Sequence, residues 1–306
     1  MEEPPRDIIA GMTDPTPTAI NRLTPFGDLP AEHADPATAA IAVLPVPYDR
    51  TSSWKKGADR GPAALLDASA NLELYDIPTG TEVYQRGIAT LDPVVTDEPP
   101  DVMTDHVDRD VAQIYKRGQF PVVIGGEHSV SIGAIRAAAR RFESLSVLQI
   151  DAHADTRETY DGSAFNHACV MARARQWCSI TQVGIRAIDA DEAPGLDPHR
   201  VFYAHDIVDQ PGRPWIERAV ATLSDAVYVT IDLDAFDSSV MPATGTPEPG
   251  GLTWPDVENL LASVARSRRV VGFDVVELLP TPGFWSCDFL AAKLVYRFLS
   301  EIFADR

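Results

Sequence analysis

The most constraining feature of this sequence is a repeated junction, at which a short apolar run ends abruptly in polar residues and a helical pattern often follows. The four clearest runs span residues 121–126, 145–150, 227–231 and 269–276. Because these runs are nearly continuous in Val and Ile and alternate with helices, they predict a parallel β-sheet covered by helices on both faces. In such sheets ligands bind outside the carboxyl ends of the strands, which is where the polar residues fall.

The rest of the chain fits the same architecture. Further strands are predicted at 40–47 and 180–185, and helices at 61–74, 102–118, 131–143, 213–223, 254–266 and 286–305. The first 37 residues, rich in Pro, Asp, Glu and Ala, show no sustained period and are interpreted as an extended arm that wraps the body or reaches a neighbouring subunit. No boundary is evident later, so residues 38–306 are predicted to form a single domain.

Charge and cysteine content restrict the functional classes. With 45 acidic residues against 26 Lys and Arg, the net charge is −19, which argues against nucleic-acid binding and docking on anionic lipid. The three cysteines are widely spaced and form no CxxC motif, as is typical of a reducing compartment. No apolar run reaches the roughly 18 residues of a membrane span, and the acidic N-terminus does not resemble a secretory signal. We therefore expect a cytoplasmic protein without membrane partners.

Acidic and histidine residues cluster at the predicted strand ends. Asp151, His153 and Asp155 alternate after one strand, so in extended backbone their side chains share one face. Asp232 and Asp234 repeat that spacing after another strand, and His128 follows a Gly-Gly pair after a third. Together they offer four carboxylates and two imidazoles at one edge of the sheet.

This combination predicts a metal centre. Each residue alone would more often be a helix cap, a loop residue or a structural histidine, but their coincidence at successive strand ends favours a shared ligand. Four carboxylates in one cleft repel one another unless a cation is present. Carboxylate and imidazole ligands without a thiolate suit Mn²⁺, and two such ions can hold a bridging hydroxide. The predicted chemistry is metal-assisted hydrolysis.

These residues resemble the signatures of the ureohydrolases, the family of arginase, agmatinase, guanidinobutyrase and formiminoglutamase. The resemblance is carried by residues 125–129, 151–155, 232–237, 244–251 and 276–277, and upstream by 47–49, 56–58 and 61–62. It covers residues 40–300. It implies an α/β fold, a single three-layer α/β/α sandwich with a mostly parallel central sheet, and a homo-oligomer, a trimer or hexamer.

The resemblance also implies two Mn²⁺ ions and release of urea from a small cationic guanidino substrate. One ion would be held by His128, Asp151, Asp155 and Asp232. The other would be held by His153, Asp151, Asp232 and Asp234. Asp151 and Asp232 would then bridge the two ions.

Three residues receive catalytic roles by the same resemblance. Asp155 would orient the bridging hydroxide, and Glu277 would pair with the substrate guanidinium. His167 aligns with a proton-shuttling histidine, for which an imidazole has a suitable pKa. Glu127 stands where many relatives carry Asp, and it is expected to lie behind the ligands and to change little.

Agmatine is the first substrate indicated by the sequence, hydrolysed to putrescine and urea in polyamine biosynthesis. The alternatives are N1-aminopropylagmatine, guanidinobutyrate and arginine. Glu158 and Asp161 are predicted to meet a distant substrate ammonium, whereas Arg157 or Arg186 could bind a carboxylate. The loops around His167 and 241–245 depart from the usual agmatinase pattern, which leaves the substrate tail open.

Two other functional classes remain possible from the sequence. A two-metal phosphoesterase would need cationic phosphate-binding groups beside the metals, and the motif loops hold few besides Arg157. A non-catalytic binding relative would usually have lost metal ligands, whereas all six are present.

Overall fold

A central eight-stranded sheet organises the computed structural model, which describes residues 23–208 and 210–304. The strand order is β2-β1-β3-β8-β7-β4-β5-β6, and every pairing is parallel. The strands are β1 Ile41–Val46, β2 Ile88–Thr90, β3 Phe120–Gly125, β4 Leu145–Ile150, β5 Ser179–Ile185, β6 Val201–Tyr203, β7 Ala226–Asp232 and β8 Arg269–Val276. The predicted three-layer α/β architecture is confirmed.

Helices cover both faces of the sheet. Their bounds are α1 Ala31–Ala34, α2 Gly61–Ser69, α3 Pro100–Lys116, α4 Ser131–Arg141, α5 Val170–Ala174, α6 Ala204–Ile207, α7 Trp215–Ala221, α8 Trp254–Ser267 and α9 Trp285–Ile302. Buried side chains of α2, α7, α8 and α9 form one large core on one face. Those of α3, α4 and α5 form a second core on the opposite face. Within the described residues, no helix is long and apolar enough to cross a membrane.

The helix boundaries follow from local chemistry. Helix α8 begins with a capping box in which Thr253 and Asp256 exchange side-chain and backbone hydrogen bonds. Helix α3 begins at Pro100, whose missing N–H costs nothing in a first turn, and the chain leaves it through Gly118 at φ +76°. Six predicted strands and six predicted helices are found within a few residues of their expected bounds, but α2 ends at Ser69, earlier than expected.

The register of the sheet brings the polar strand ends together. Ile150 of β4 pairs with Ile231 of β7, so the next residues, Asp151 and Asp232, emerge side by side. Asp232 in turn pairs with Val276 of β8, which places Glu277 beside it. Strand β3 lies on the other side of β8 and delivers the segment that carries His128.

Residues 23–37, the described part of the predicted N-terminal arm, pack against the body. They contain a 3₁₀ turn at Phe26–Asp28 and the single turn of α1. Phe26 is 1% exposed, and its backbone N–H donates to Thr90 Oγ1 at 2.8 Å. Residues 1–22 lie outside the described residues.

Candidate metal centre

Three of the predicted carboxylate ligands converge on the imidazole of His128. Its Nδ1 lies 3.1 Å from Asp151 Oδ2, 2.9 Å from Asp155 Oδ2 and 3.4 Å from Asp232 Oδ2. None of these contacts is a hydrogen bond of acceptable geometry, and Nδ1 is buried. Its Nε2 contacts Thr230 Oγ1 at 2.9 Å. A buried imidazole nitrogen without a hydrogen-bond partner, facing three carboxylates, fits a shared cation.

A second group forms around His153. Its Nδ1 lies 3.0 Å from Asp234 Oδ2 and 3.8 Å from Asp151 Oδ1. Backbone amides hold the carboxylates in place, because the N–H of Ala152 donates to Asp234 and that of Asp234 donates to Asp232. Ligand atoms of His128, Asp151 and Asp232 lie within 4.8 Å of one another, as do those of Asp151, His153 and Asp234, and Asp155 joins the first group through its contact with His128. All six predicted ligands are therefore brought together, in two adjoining groups that share Asp151.

The electrostatics of the cluster also fit divalent cations. Burial, together with repulsion by Asp155 and Asp234, raises the pKa of Asp151 to about 7. Burial and the neighbouring Asp234 likewise raise the pKa of Asp232 well above its ordinary value. Carboxylates in this environment either retain protons or exchange them for a metal ion. The side chains are thus positioned for metal binding.

Glu277 closes the cluster from the end of β8. Its Oε1 accepts the backbone N–H of His128 at 2.8 Å, and its own N–H donates to Gly126 O at 2.7 Å. Burial and the nearby Glu127 raise its pKa well above the usual range. Glu277 and Asp155 both have positive φ, 65° and 53°, a strained conformation typical of functional sites.

His167 reaches the same space from a different segment. It begins a 3₁₀ turn between β4 and α5, and its backbone N–H donates to Thr51 Oγ1 at 3.0 Å. The imidazole lies edge-on to Tyr160, with ring centroids 5.9 Å apart. All three predicted catalytic residues thus border one cleft.

This cleft, about 300 Å³ in volume, opens above the carboxyl ends of the strands. Its floor is formed by metal-centre residues and Glu277, and its upper wall by Ser52–Lys55, Arg157, Tyr160, Ile188, Asp189 and Glu192. Asp151 is fully buried and lies behind this floor. The cleft has the size and position expected of a small-molecule site.

Three residues predicted to contact the substrate tail lie outside the lining of the cleft. Glu158 pairs with Arg173 and Arg175 and borders an adjoining cavity together with Arg157, Asp189 and Glu192, so its role with a substrate ammonium stays a prediction. Asp161 is exposed and also lies outside the lining. Arg186 cannot bind a substrate carboxylate, because its guanidinium donates to main-chain carbonyls, including those of Asp234 and Glu248.

The wall contains residues that sequence analysis missed. Asp189 is about half exposed at the mouth, where its carboxylate lies 3.3 Å from Arg157 Nη2. Glu192 is buried and accepts the backbone N–H and the hydroxyl of Thr156. The position of both residues after strand β5, at the carboxyl edge of the sheet, was the available signal.

Comparison with known proteins agrees with this geometry. The arginase family model matches residues 39–300, and the chain belongs to that family. It is 40% identical to N(1)-aminopropylagmatine ureohydrolase of Synechocystis, over 86% of this chain and 89% of that protein. It is 31% identical to agmatinase of Pyrococcus horikoshii, over 88% and 94%. The crystal structure of agmatine ureohydrolase of Thermoplasma volcanium superposes with a TM-score of 0.81 at 32% identity, over 92% and 95%.

Proposed function

We propose that this protein is a metal-dependent ureohydrolase that releases urea from a linear guanidine carrying a distal amine. N1-aminopropylagmatine is the first proposed substrate and agmatine the second. The observation that carries the proposal is the buried cluster of carboxylates and imidazoles at the floor of a cleft, with Glu277 and His167 at its border. The reaction consumes one water and breaks the bond between the guanidine carbon and the substituted nitrogen.

The six clustered side chains would hold two divalent cations. One would bind His128, Asp151, Asp155 and Asp232, and the other His153, Asp151, Asp232 and Asp234. Two bound cations lower the pKa of water and so supply a nucleophile at neutral pH. Mn²⁺ is the proposed ion, because the donor set is carboxylate and imidazole without thiolate.

Glu277 is the proposed partner of the substrate guanidinium. A guanidinium stays protonated near neutral pH, so its recognition requires an anionic acceptor built into the site. Glu277 is only 9% exposed, and the carboxylate borders the cleft. A cationic substrate would favour ionisation of this carboxyl group, whose pKa is raised by burial.

Asp155 and His167 are proposed to take the two remaining catalytic roles, orienting the water and transferring a proton. The Asp155 carboxylate, beside His128 Nδ1 at 2.9 Å, would orient the attacking water toward the guanidine carbon. His167 would deliver a proton to the departing nitrogen, so that urea and a neutral amine separate. Both residues border the cleft, as these roles require.

The choice of first substrate rests on the relatives and on the mouth of the cleft. Sequence motifs alone rank agmatine first, but the chain is 40% identical to the Synechocystis aminopropylagmatine enzyme and 31% to the Pyrococcus agmatinase. Asp189 places a half-exposed carboxylate at the mouth, where it could meet the ammonium of an extended tail. Arg157 is already paired with Asp189 and Glu192, so of the Lys and Arg residues that line the cleft Lys55 remains to meet a phosphate ester.

Urea release by Mn²⁺-loaded protein tests the proposal. The panel contains N1-aminopropylagmatine, agmatine, arginine and guanidinobutyrate, with a phosphate ester as the alternative substrate. We expect urea from the first two and no phosphate release. Urea from arginine alone would overturn the substrate assignment, and no urea from any guanidine would overturn the activity. The homo-oligomer remains a prediction, which sedimentation velocity checks.

A further inference from the structure

We propose that Glu127 and Thr51 act as positioning residues for His167, holding its imidazole with the proton on Nδ1 and leaving Nε2 to exchange protons with substrate. This inference rests on the proposed function, in which His167 supplies a proton. It assigns a task to Glu127, which sequence analysis expected to have little effect, and to the hydroxyl of Thr51.

Glu127 is completely buried, and its carboxylate accepts five hydrogen bonds, the longest of them from the hydroxyl of Ser52 at 3.5 Å. Its Oε1 accepts from the hydroxyls of Thr51 at 2.7 Å and Ser129 at 2.6 Å. Its Oε2 accepts the backbone N–H groups of Thr51 and Ser52. In the contact between Thr51 Oγ1 and Glu127 Oε1 the hydroxyl donates and the carboxylate accepts, so the hydroxyl proton points at Glu127.

The direction of this hydrogen bond determines whether Thr51 Oγ1 donates to His167 or accepts from it. A hydroxyl has one proton and two acceptor lone pairs. Its proton is directed at Glu127, and one lone pair accepts the backbone N–H of His167 at 3.0 Å. The other faces His167 Nδ1 at 3.2 Å, so Nδ1 must carry a hydrogen to make this contact favourable. Nε2 is then the ring nitrogen that gains and loses a proton.

The arrangement also fixes where the ring lies. Thr51 holds His167 through both its main chain and its ring, and Tyr160 packs edge-on against the imidazole. The same carboxylate secures Ser52, which lines the cleft. Glu127 therefore connects Ser52, in the wall of the cleft, with His167 through one set of partly buried hydrogen bonds.

A double-mutant cycle separates positioning from mere support of the fold. We expect T51V to lower kcat for urea release about tenfold, with KM and metal content nearly unchanged. T51S, which keeps the hydroxyl, should stay within about twofold of the parent enzyme. In an H167N background T51V should have no further effect, since the group it positions is gone. T181V is the matched control, because Thr181 is a buried threonine bonded to Thr222 away from the cleft.

Equal losses from T51V with and without H167N would overturn the proposal, as would failure of T51S to restore activity. Neutron diffraction from the deuterated parent enzyme gives a readout independent of turnover. Deuterium on His167 Nδ1, with the Thr51 hydroxyl directed at Glu127, supports the proposal. A hydroxyl deuteron directed at Nδ1 contradicts it, even if the enzyme releases no urea and the proposed function itself fails.

Discussion

Within the described residues, two clusters of largely buried acidic side chains differ in how their charge is balanced. The helix cluster consists of Asp76, Glu258 and Glu301 around the guanidinium of Arg297, with nitrogen–oxygen distances of 3.2, 2.9 and 2.7 Å. The cleft cluster consists of Asp151, Asp155, Asp232, Asp234 and Glu277. It contains two imidazoles, but no Lys or Arg of the described residues forms an ion pair with these five carboxylates.

This difference in charge balance distinguishes the helix cluster, which has a structural role, from the cleft cluster, which is the proposed metal centre. In the helix cluster, Arg297 compensates the desolvated carboxylates permanently, so this part of the molecule can fold without a bound ion. In the cleft cluster, burial raises the pKa values of Asp151, Asp232 and Glu277. The two imidazoles compensate only part of the negative charge of the cleft cluster. The proposed cations, bound from solution, would compensate the rest. Buried charge alone therefore does not identify a site, whereas buried charge without a matching guanidinium or ammonium does.

The largest expected effect comes from removing one carboxylate of the cleft cluster. Asp232→Asn should lower urea release by at least about 10³-fold, because two proposed cations would lose a shared ligand. Metal analysis should show fewer than two ions per chain. The chelated variant should unfold at the same or a higher temperature than the chelated parent, since one repelled carboxylate is gone. Activity within tenfold of the parent would contradict the assignment.

The matched change in the helix cluster should lower stability and leave activity unchanged, the reverse of the result expected for Asp232→Asn. Asp76→Asn leaves Arg297 with fewer anionic partners, and breaking a buried pair costs about 3 kcal/mol. We expect thermal unfolding followed by circular dichroism to shift down by about 5 °C, with metal content and urea release unchanged. A loss of metal in this variant would show that the two clusters are not independent.

The pH dependence of the cleft cluster provides a smaller effect. Asp151, with a folded pKa raised to about 7 by burial, holds a proton that a metal must displace at lower pH. Affinity measured by calorimetry should therefore fall about tenfold per pH unit below 7 for each proton displaced. Affinity that does not change between pH 5 and 7 would contradict this.

The chelated protein should show the reverse trend. A raised pKa contributes stability below the unfolded value, near 4 for Asp151, and this stability is lost as pH rises through 7. Burial lowers the pKa of His153, but Asp234, Asp151 and Asp155 together outweigh burial and raise this pKa to about 10, so the contribution of His153 is lost between about 6.5 and 10. Unfolding temperature in chelator should decrease with pH across this range, and an increase would be inconsistent with both shifts.

The smallest effect should come from the mouth of the cleft. Asp189→Asn should raise KM for N1-aminopropylagmatine about three- to fivefold, the modest value expected of a half-exposed ion pair. Agmatine should be affected less, because its shorter tail ends deeper in the cleft. Asp161→Asn is the control, since Asp161 is exposed and lies outside the lining, and equal changes in both variants would remove Asp189 from substrate recognition.

The sequence predicted the floor of the site better than its walls. Asp151, Asp232 and Glu277 follow strands whose apolar composition is distinctive, and parallel pairing brings strand ends to one edge whatever the order of the strands. The strand order itself, with β7 and β8 between β3 and β4, has no local signal. Strands β2 and β6 were missed because three residues show no measurable period.

Contacts with the substrate tail were predicted less well, and the reason is different. Loop composition gives the charge of Glu158 and Arg186 but not the direction of their side chains. Glu158 is turned away by two neighbouring arginines, and Arg186 points into the protein toward carbonyl groups. Asp189 received no role because a lone Asp after a strand resembles an ordinary loop residue.

The hydrogen bonds of the Arg186 guanidinium are relevant to any attempt to change the substrate range by design. Its guanidinium joins the main chain of three segments, at Gly184, at Asp234–Phe236 and at Glu248–Pro249. Since these bonds involve only carbonyl oxygens, they do not depend on side-chain identity in the joined segments. Libraries that vary Ser53, Trp54 and Ile188 while retaining Arg186 should therefore explore new substrate tails without disturbing the proposed metal ligands.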